Sequence, residues 1–139
     1  MAAKFEVSGF NEYFEKLEKL GIDAEKIAKV GLYEGAGIVA DEVKASVPVK
    51  TGDLRDAMRI QRMVSEEGVV STTIDFPGYD RNGVPNQLKA NMIESGTSTE
   101  GKTPFVRPAF NRAKEKARRA IIERCEAEIT KKLEDSSNG

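Results

Sequence analysis

The sequence predicts an α+β fold: a small antiparallel β-sheet packed against a long helix in the N-terminal half and a long C-terminal helix. Three observations predict it. Apolar residues recur at helical spacing over 23–46, and again over 105–133. Between them stands a β-branched run, Val69 to Phe76, preceded by an alternating segment that can pair with it. The 139 residues suffice for one domain with a real core. That domain is expected over 1–134, with a disordered polar tail at 135–139.

The first element is a short amphipathic helix over 10–20. Phe10, Phe14, Leu17 and Leu20 repeat at helical spacing with Tyr13 beside them, and Gly21 is a natural stop. Asp23 then reads as the N-cap of a helix running to about Ser46. One stripe on this helix is large and apolar: Leu32, Ala36, Val39 and Val43. A second is small: Ala24, Ala28, Gly31 and Gly35, ending at Ile38. A glycine inside a helix costs roughly 1 kcal/mol relative to alanine. Gly31, Gly35 and Gly37 therefore point to another element approaching closely, the alternative being a kink. Pro48 disfavours helical geometry at Val47 and ends the helix. Thr51-Gly52-Asp53 is turn chemistry, and Thr51 or Asp53 can cap a brief helical turn through Leu54 and Arg55.

A β-hairpin is expected over 57–76, with one or two further short strands completing the sheet. In its first arm Met58, Ile60, Arg62 and Val64 share one face, with Arg59, Gln61 and Met63 on the other. Ser65 to Gly68 is the turn, and Val69 to Phe76 the second arm. Pro77 to Pro85 holds two Pro and two Gly and reads as an exposed loop, either a contact arm or simply mobile. Residues 86–95 suit a short helix, or a helix running into one further strand. Residues 96–104 form a second loop. The last helix is expected from about Phe105 to Leu133, with Pro108 in its first turn. Its apolar residues step by four: Ala109, Ala113, Ala117, Ile121, Cys125, Ile129 and Leu133. Each step of four drifts about 40°. The alanine-rich beginning and the bulky end should therefore meet different surfaces. A helix of about 29 residues spans roughly 43 Å, against a diameter of roughly 37 Å for a compact domain of this size. Its end either frays or overhangs towards a neighbouring subunit.

Composition excludes much chemistry. Hydrophobic residues make up 39% and charged residues 32%, an ordinary soluble balance. No apolar run approaches the roughly 18 residues of a spanning helix, and the N-terminus lacks the apolar stretch of a signal peptide. Folding in a cytoplasm is expected. Cys125 is the single cysteine, so no intrachain disulfide forms, and there is no histidine. The common zinc sites and the Ser-His or Cys-His nucleophile pairs are thereby ruled out. Cys125, on the apolar stripe, reads as a buried inert thiol. Asp53, Glu66 and Glu67 do not have the spacing of a hard-cation site. No cofactor is expected.

The net charge is −1, but it is uneven. Residues 1–47 carry six Lys against nine Asp/Glu, a net of −3, while 107–124 carry seven Lys/Arg against two Glu, a net of +5. Such patches suit head-to-tail contact between identical subunits or contact with a charged partner; the alternative is two solvated helix faces.

Two segments are more specific. One is Val47-Pro48-Val49-Lys50-Thr51-Gly52-Asp53-Leu54-Arg55 after the long helix. The other is Met92-Ile93-Glu94-Ser95-Gly96-Thr97, followed by Pro104-Phe105-Val106-Arg107-Pro108-Ala109 at the start of the last helix. In order and spacing, over about residues 10–130, they resemble the gene-product-ten-like family of lambdoid siphophages. Lys50 stands where that family usually has an acidic residue, and Val106 where it has leucine. The resemblance implies a non-enzymatic virion subunit at the head–tail joint, a neck or tail-completion component. It implies assembly as a ring with copies of itself, contact with connector, tail-terminator or tail-tube proteins, and weak contact with passing DNA.

Within these motifs Pro48, Thr51, Gly52, Leu54, Gly96, Thr97, Pro104 and Pro108 read as structural. Phe105 reads as a core plug pinning the helix start to the sheet. Arg55 and Arg107 can pair with Glu94 or with a neighbour's carboxylate. Candidate subunit or partner contacts are Arg55, Asp80, Arg81, Glu94, Arg107, Arg112, Arg119, Ile129 and Leu133. The alternative function is a nucleic-acid-binding module using the basic stretch from Arg107 to Arg124. Few aromatics accompany that stretch, which argues against single-strand recognition. A carboxylate-based hydrolase is disfavoured by the missing histidine and the absence of a glycine-rich phosphate loop.

Overall fold

A computed structural model describes residues 3–7, 11–48, 52–66, 69–99 and 101–138. The chain runs β1 (Ala3–Val7), α1 (Asn11–Lys19), α2 (Ala24–Ser46), α3 (Asp53–Ala57), β2 (Arg59–Ile60), β3 (Val64–Glu66), β4 (Val69–Asp75), α4 (Asn86–Ser95) and α5 (Val106–Asn138). The fold is α+β, with an antiparallel sheet and two long helices. Phe10, Val49, Lys50, Thr51, Glu67, Gly68 and Glu100 lie outside the described residues, as do the side chains of Tyr13 and Phe14.

The helix termini follow local chemistry. Gly21 adopts φ 76°, the left-handed conformation that closes α1. Asp23 caps α2 by accepting the Lys26 amide at 3.1 Å. Val47, extended before Pro48, ends α2. At α3 the expectation needs correcting. Asp53 is the first helical residue, and the capping position is Gly52 at φ 84° with no side-chain bond.

β4 is the centre of the sheet. β1 pairs along one side, and β2 and β3 pair as two segments along the other, all antiparallel. The extra strand thus comes from the N-terminus; residues 86–95 are wholly helical. The first hairpin arm is also not continuous. Ile60 faces Ile74 and Val64 faces Ser71, so four steps on one strand oppose three on the other. That extra residue is a β-bulge across 61–63. It inverts the faces beyond it. Met58 and Ile60 share a face as expected, and that face packs on the core, but Met63 then packs inward and Val64 is exposed. The buried Thr72 bonds the bulge, donating from Oγ1 to the Gln61 carbonyl at 2.7 Å.

On the inner face of the sheet Val70, Thr72, Ile74 and Phe76 are buried against α2, and α5 runs antiparallel beside α2. Two of the three glycines predicted to admit a neighbour do so. A Cβ on Gly31 would lie 2.5 Å from Sγ of Cys125, and one on Gly35 would lie 2.5 Å from Cγ1 of Ile121. Gly37 departs from the expectation: open space surrounds it. The Cys125 thiol sits near the Ile27 carbonyl, and burial pushes its pKa up, as suits an inert packing residue.

The α5 stripe divides between two clusters. Ala109, Ala113 and Ala117 enter the main core with Phe76, Phe105 and Leu54. Ile129 joins a second cluster with Leu17, Ile22, Ala24 and Ile27, where α1 meets α2. Beyond Ile129 every residue from Thr130 to Asp135 is exposed. With 33 residues α5 is about 50 Å long. It outruns the expected end at Leu133, so the polar segment from Asp135 begins inside it.

Candidate interaction surface

The two motif segments are built together. Glu94, at the end of α4, is only 5% exposed. Its Oε1 accepts the backbone amides of Phe105 at 2.9 Å and Val106 at 2.8 Å, and Oε2 accepts Arg107 N at 3.3 Å. These are the unsatisfied donors that open α5, and a carboxylate there also suits the positive end of the helix dipole. Glu94 is therefore not free to meet a neighbouring subunit, and it does not pair with the Arg55 or Arg107 side chain. Gly96, at φ 78°, ends α4 and turns the chain back, and the Thr103 amide returns to the Ile93 carbonyl. Thr97 holds this turn through the Thr99 amide. Phe105 is buried edge-on to Phe76, ring centres 5.9 Å apart, and so plugs the core beside the sheet.

The loop over 77–85 is a folded unit. Asp80 Oδ1 accepts the amides of Asn82 and Val84, both at 2.9 Å, and Oδ2 meets Lys89 Nζ of α4 at 2.9 Å. The Asp80 side chain is thus spent inside the loop. Its pKa is lowered below the ordinary 3.8, first by the Lys89 bond and then by the Val84 amide, against a smaller opposing effect of burial. The loop gains full stabilisation from this carboxylate above the ordinary value and loses it as pH falls through the lower folded value. Asp80→Asn should therefore accelerate amide exchange at Asn82 and Val84 at neutral pH. In the wild-type chain that acceleration should appear only below about pH 4. Equal exchange in both proteins at pH 7 would refute this.

Arg81 forks onto Asp53 at the start of α3, with Nε to Oδ2 at 2.8 Å and a second bond of 2.7 Å to Oδ1. The pair ties the loop to the first motif. Leu54 is buried there, Pro48 is exposed, and Arg55 makes a loose 3.7 Å contact with Asp56.

The charged halves also meet within the chain. Arg112 reaches Glu42 and Ser46, each at 2.7 Å, and Arg124 approaches Glu34 at 3.6 Å and Glu128 at 3.1 Å. Two of the four acidic residues of α2, Glu34 and Glu42, are thereby met by α5. Of the expected contacts, Ile129 is buried in the second cluster. Arg107, Arg119 and Leu133 remain exposed.

Sequence reasoning missed an apolar face. Pro85, Leu88 and Met92 lie on the outer side of α4, and Tyr79 bridges to Pro85. Tyr79 is 73% exposed, and Leu88 and Met92 nearly half. The four-residue step from Leu88 to Met92 was legible, but nothing local showed that it faced outwards. Between α2 and α5 an open groove of about 570 Å³ is lined by Lys26, Lys29, Val30, Tyr33, Gly37 and Arg124 among others. No group of three or more His, Cys, Asp or Glu among the described residues could hold a metal.

Residues 9–76 match the family HK97-gp10_like, described as "Bacteriophage HK97-gp10, putative tail-component". This segment belongs to that family. The matched stretch holds α1, α2, the turn carrying Gly52 and Leu54, and strands β2 to β4; it leaves out β1 and stops before the second motif. The family is one of phage tail components, which implies a place in the virion beside other phage structural proteins. No curated protein and no solved structure matches the chain. No helix among the described residues is long and apolar enough to cross a membrane.

Proposed function

We propose that this chain is a non-enzymatic subunit of the head–tail joint of a tailed bacteriophage, a neck or tail-completion component that assembles as a ring. The observation that carries the reading is the tail-component family of residues 9–76. Two features of the surface support assembly. The Tyr79–Leu88–Met92 face lies with α4, beside the start of α5, whereas Leu133 projects on the bare far end of that helix. Different apolar surfaces at separate places suit heterologous contacts, which close into rings when the rotation allows. Partners in this reading are copies of the chain, with connector, tail-terminator or tail-tube proteins above and below.

Light scattering of the purified chain, alone and mixed with connector components, tests the proposal. Oligomers are expected in one or both conditions, and Leu88→Asp with Leu133→Asp should reduce them at least tenfold in apparent affinity, an order-of-magnitude figure for losing two buried apolar contacts. A chain that stays monomeric and ignores those components would overturn it.

A further inference from the structure

We infer that the open groove between α2 and α5 receives the α5 of a second copy, which enters by the face carrying Ile122, Glu123, Glu126 and Leu133. This contact refines the ring assembly proposed above and rests on it. Gly37 is the first observation. Glycine inside a helix is costly. At Gly31 and Gly35 the cost is explained, because α5 leaves no room for a Cβ. At Gly37 nothing lies within 4 Å. Its position is nevertheless regular. Lys26, Val30, Tyr33 and Gly37 follow one another at steps of four, three and four, and all of them line the groove. That spacing is the seam along which one helix packs on another. The seam is open to solvent, with Tyr33 well exposed on it. A residue without a side chain in such a seam admits close approach by another helix.

Charge selects the occupant. Lys26, Lys29 and Arg124 line the groove against one carboxylate, Glu34. Glu34 is met by Arg124 and Lys29 reaches Glu25, while Lys26 forms no ion pair among the described residues. An apolar floor under a cationic rim fits a helix whose exposed apolar residues are flanked by carboxylates. The second half of α5 is such a helix. Ile122 and Leu133, both exposed, fall within about 20° of one another around it. Glu126 lies about 40° from Ile122 and Glu123 about 100°. Both carboxylates are exposed and neither forms an ion pair among the described residues. Arg119 borders this face one turn earlier.

Groove and face lie on opposite sides of α5. Arg124, in the groove wall, is about 160–180° around the helix from Ile122, Glu126 and Leu133. One copy can therefore receive a neighbour on one side of α5 and be received by the next on the other. That is a heterologous contact, the kind that repeats head to tail and closes when the rotation allows. The cationic groove does not match itself, so a two-fold pair through it is disfavoured.

Carbodiimide, which joins a carboxylate directly to a lysine, tests the contact in a mixture of isotope-labelled and unlabelled full-length chains. Links from Lys26 or Lys29 of one copy to Glu123 or Glu126 of another are expected. Sedimentation velocity, with connector components added if the chain alone is monomeric, then reads the energetics. Lys26→Glu with Lys29→Glu should weaken association about tenfold or more, and so should Glu123→Lys with Glu126→Lys. All four substitutions together should restore it, because the charges then face each other with signs exchanged. Gly37→Leu should leave the chain folded by circular dichroism, since its Cβ meets open space, yet weaken association about tenfold or more by filling the seam. Assembly that survives Gly37→Leu and both reversals would overturn this contact and leave the ring reading standing. Failure of the fourfold variant to restore association would likewise overturn it. A chain that stays monomeric with and without connector components would overturn both.

Discussion

Glu94→Ala is expected to destabilise the protein by about 3–5 kcal/mol, the range for removing one member of a buried, hydrogen-bonded charged network. Three backbone amides at the start of α5 lose their acceptor at once. Phe105 and Val106, which carry two of them, are buried, so water cannot readily replace the carboxylate there. Glu94→Gln keeps one acceptor oxygen and should cost less, about 1–2 kcal/mol. Chemical denaturation read by circular dichroism gives both numbers. An alanine variant within about 0.5 kcal/mol of wild type, the usual range for a surface substitution, would show that the α5 start does not depend on this carboxylate.

The glycines of α2 should respond to the same substitution with opposite signs. Gly35→Ala places a methyl 2.5 Å from Ile121 and 3.2 Å from the Ala117 carbonyl oxygen. The side chain can turn, but the carbonyl belongs to the backbone of α5, so the helices must separate. Overpacking of this kind costs about 1–3 kcal/mol, only partly offset by roughly 1 kcal/mol of gained helix propensity. Gly31→Ala meets the Ile121 carbonyl at the same 3.2 Å and should behave alike. Gly37→Ala meets nothing within 4 Å and should stabilise by about 0.5–1 kcal/mol. Thermal melts of the three single variants suffice. Stabilisation at all three positions would mean that the α2–α5 contact is loose.

What could be read from the chain alone follows the range of the interactions. Asp23, Gly21 and Pro48 act on their immediate neighbours, and α2 begins and ends where they place it. The cost of glycine inside a helix was enough to expect close packing at Gly31 and Gly35, but it pointed equally to Gly37, where nothing approaches. Interactions between distant residues were hidden. The bulge at 61–63 exists only against β4, so alternation alone put Val64 on the wrong face. β1 had a signal, Ala3, Phe5 and Val7 alternating with Lys4 and Glu6, but five residues with no turn to a partner left it unassigned. Among the candidate contacts, Asp80, Arg81, Glu94 and Arg112 proved to be engaged within the chain, because charge read along a sequence does not reveal which opposite charge the fold brings across. Glu94 had an indirect clue. Pro104-Phe105 opens a long helix without a capping side chain of its own, so some distant acceptor had to serve.

The split of the apolar interior into two clusters makes resistance to unfolding uneven along α5. The larger cluster gathers both long helices, the sheet and α4, whereas the smaller has five buried residues among those described, where α1 leans on the helix pair. Free energy of local opening scales with the apolar contacts that must be broken. The exposed last turns of α5 should therefore open before its first turn, whose amides Glu94 holds.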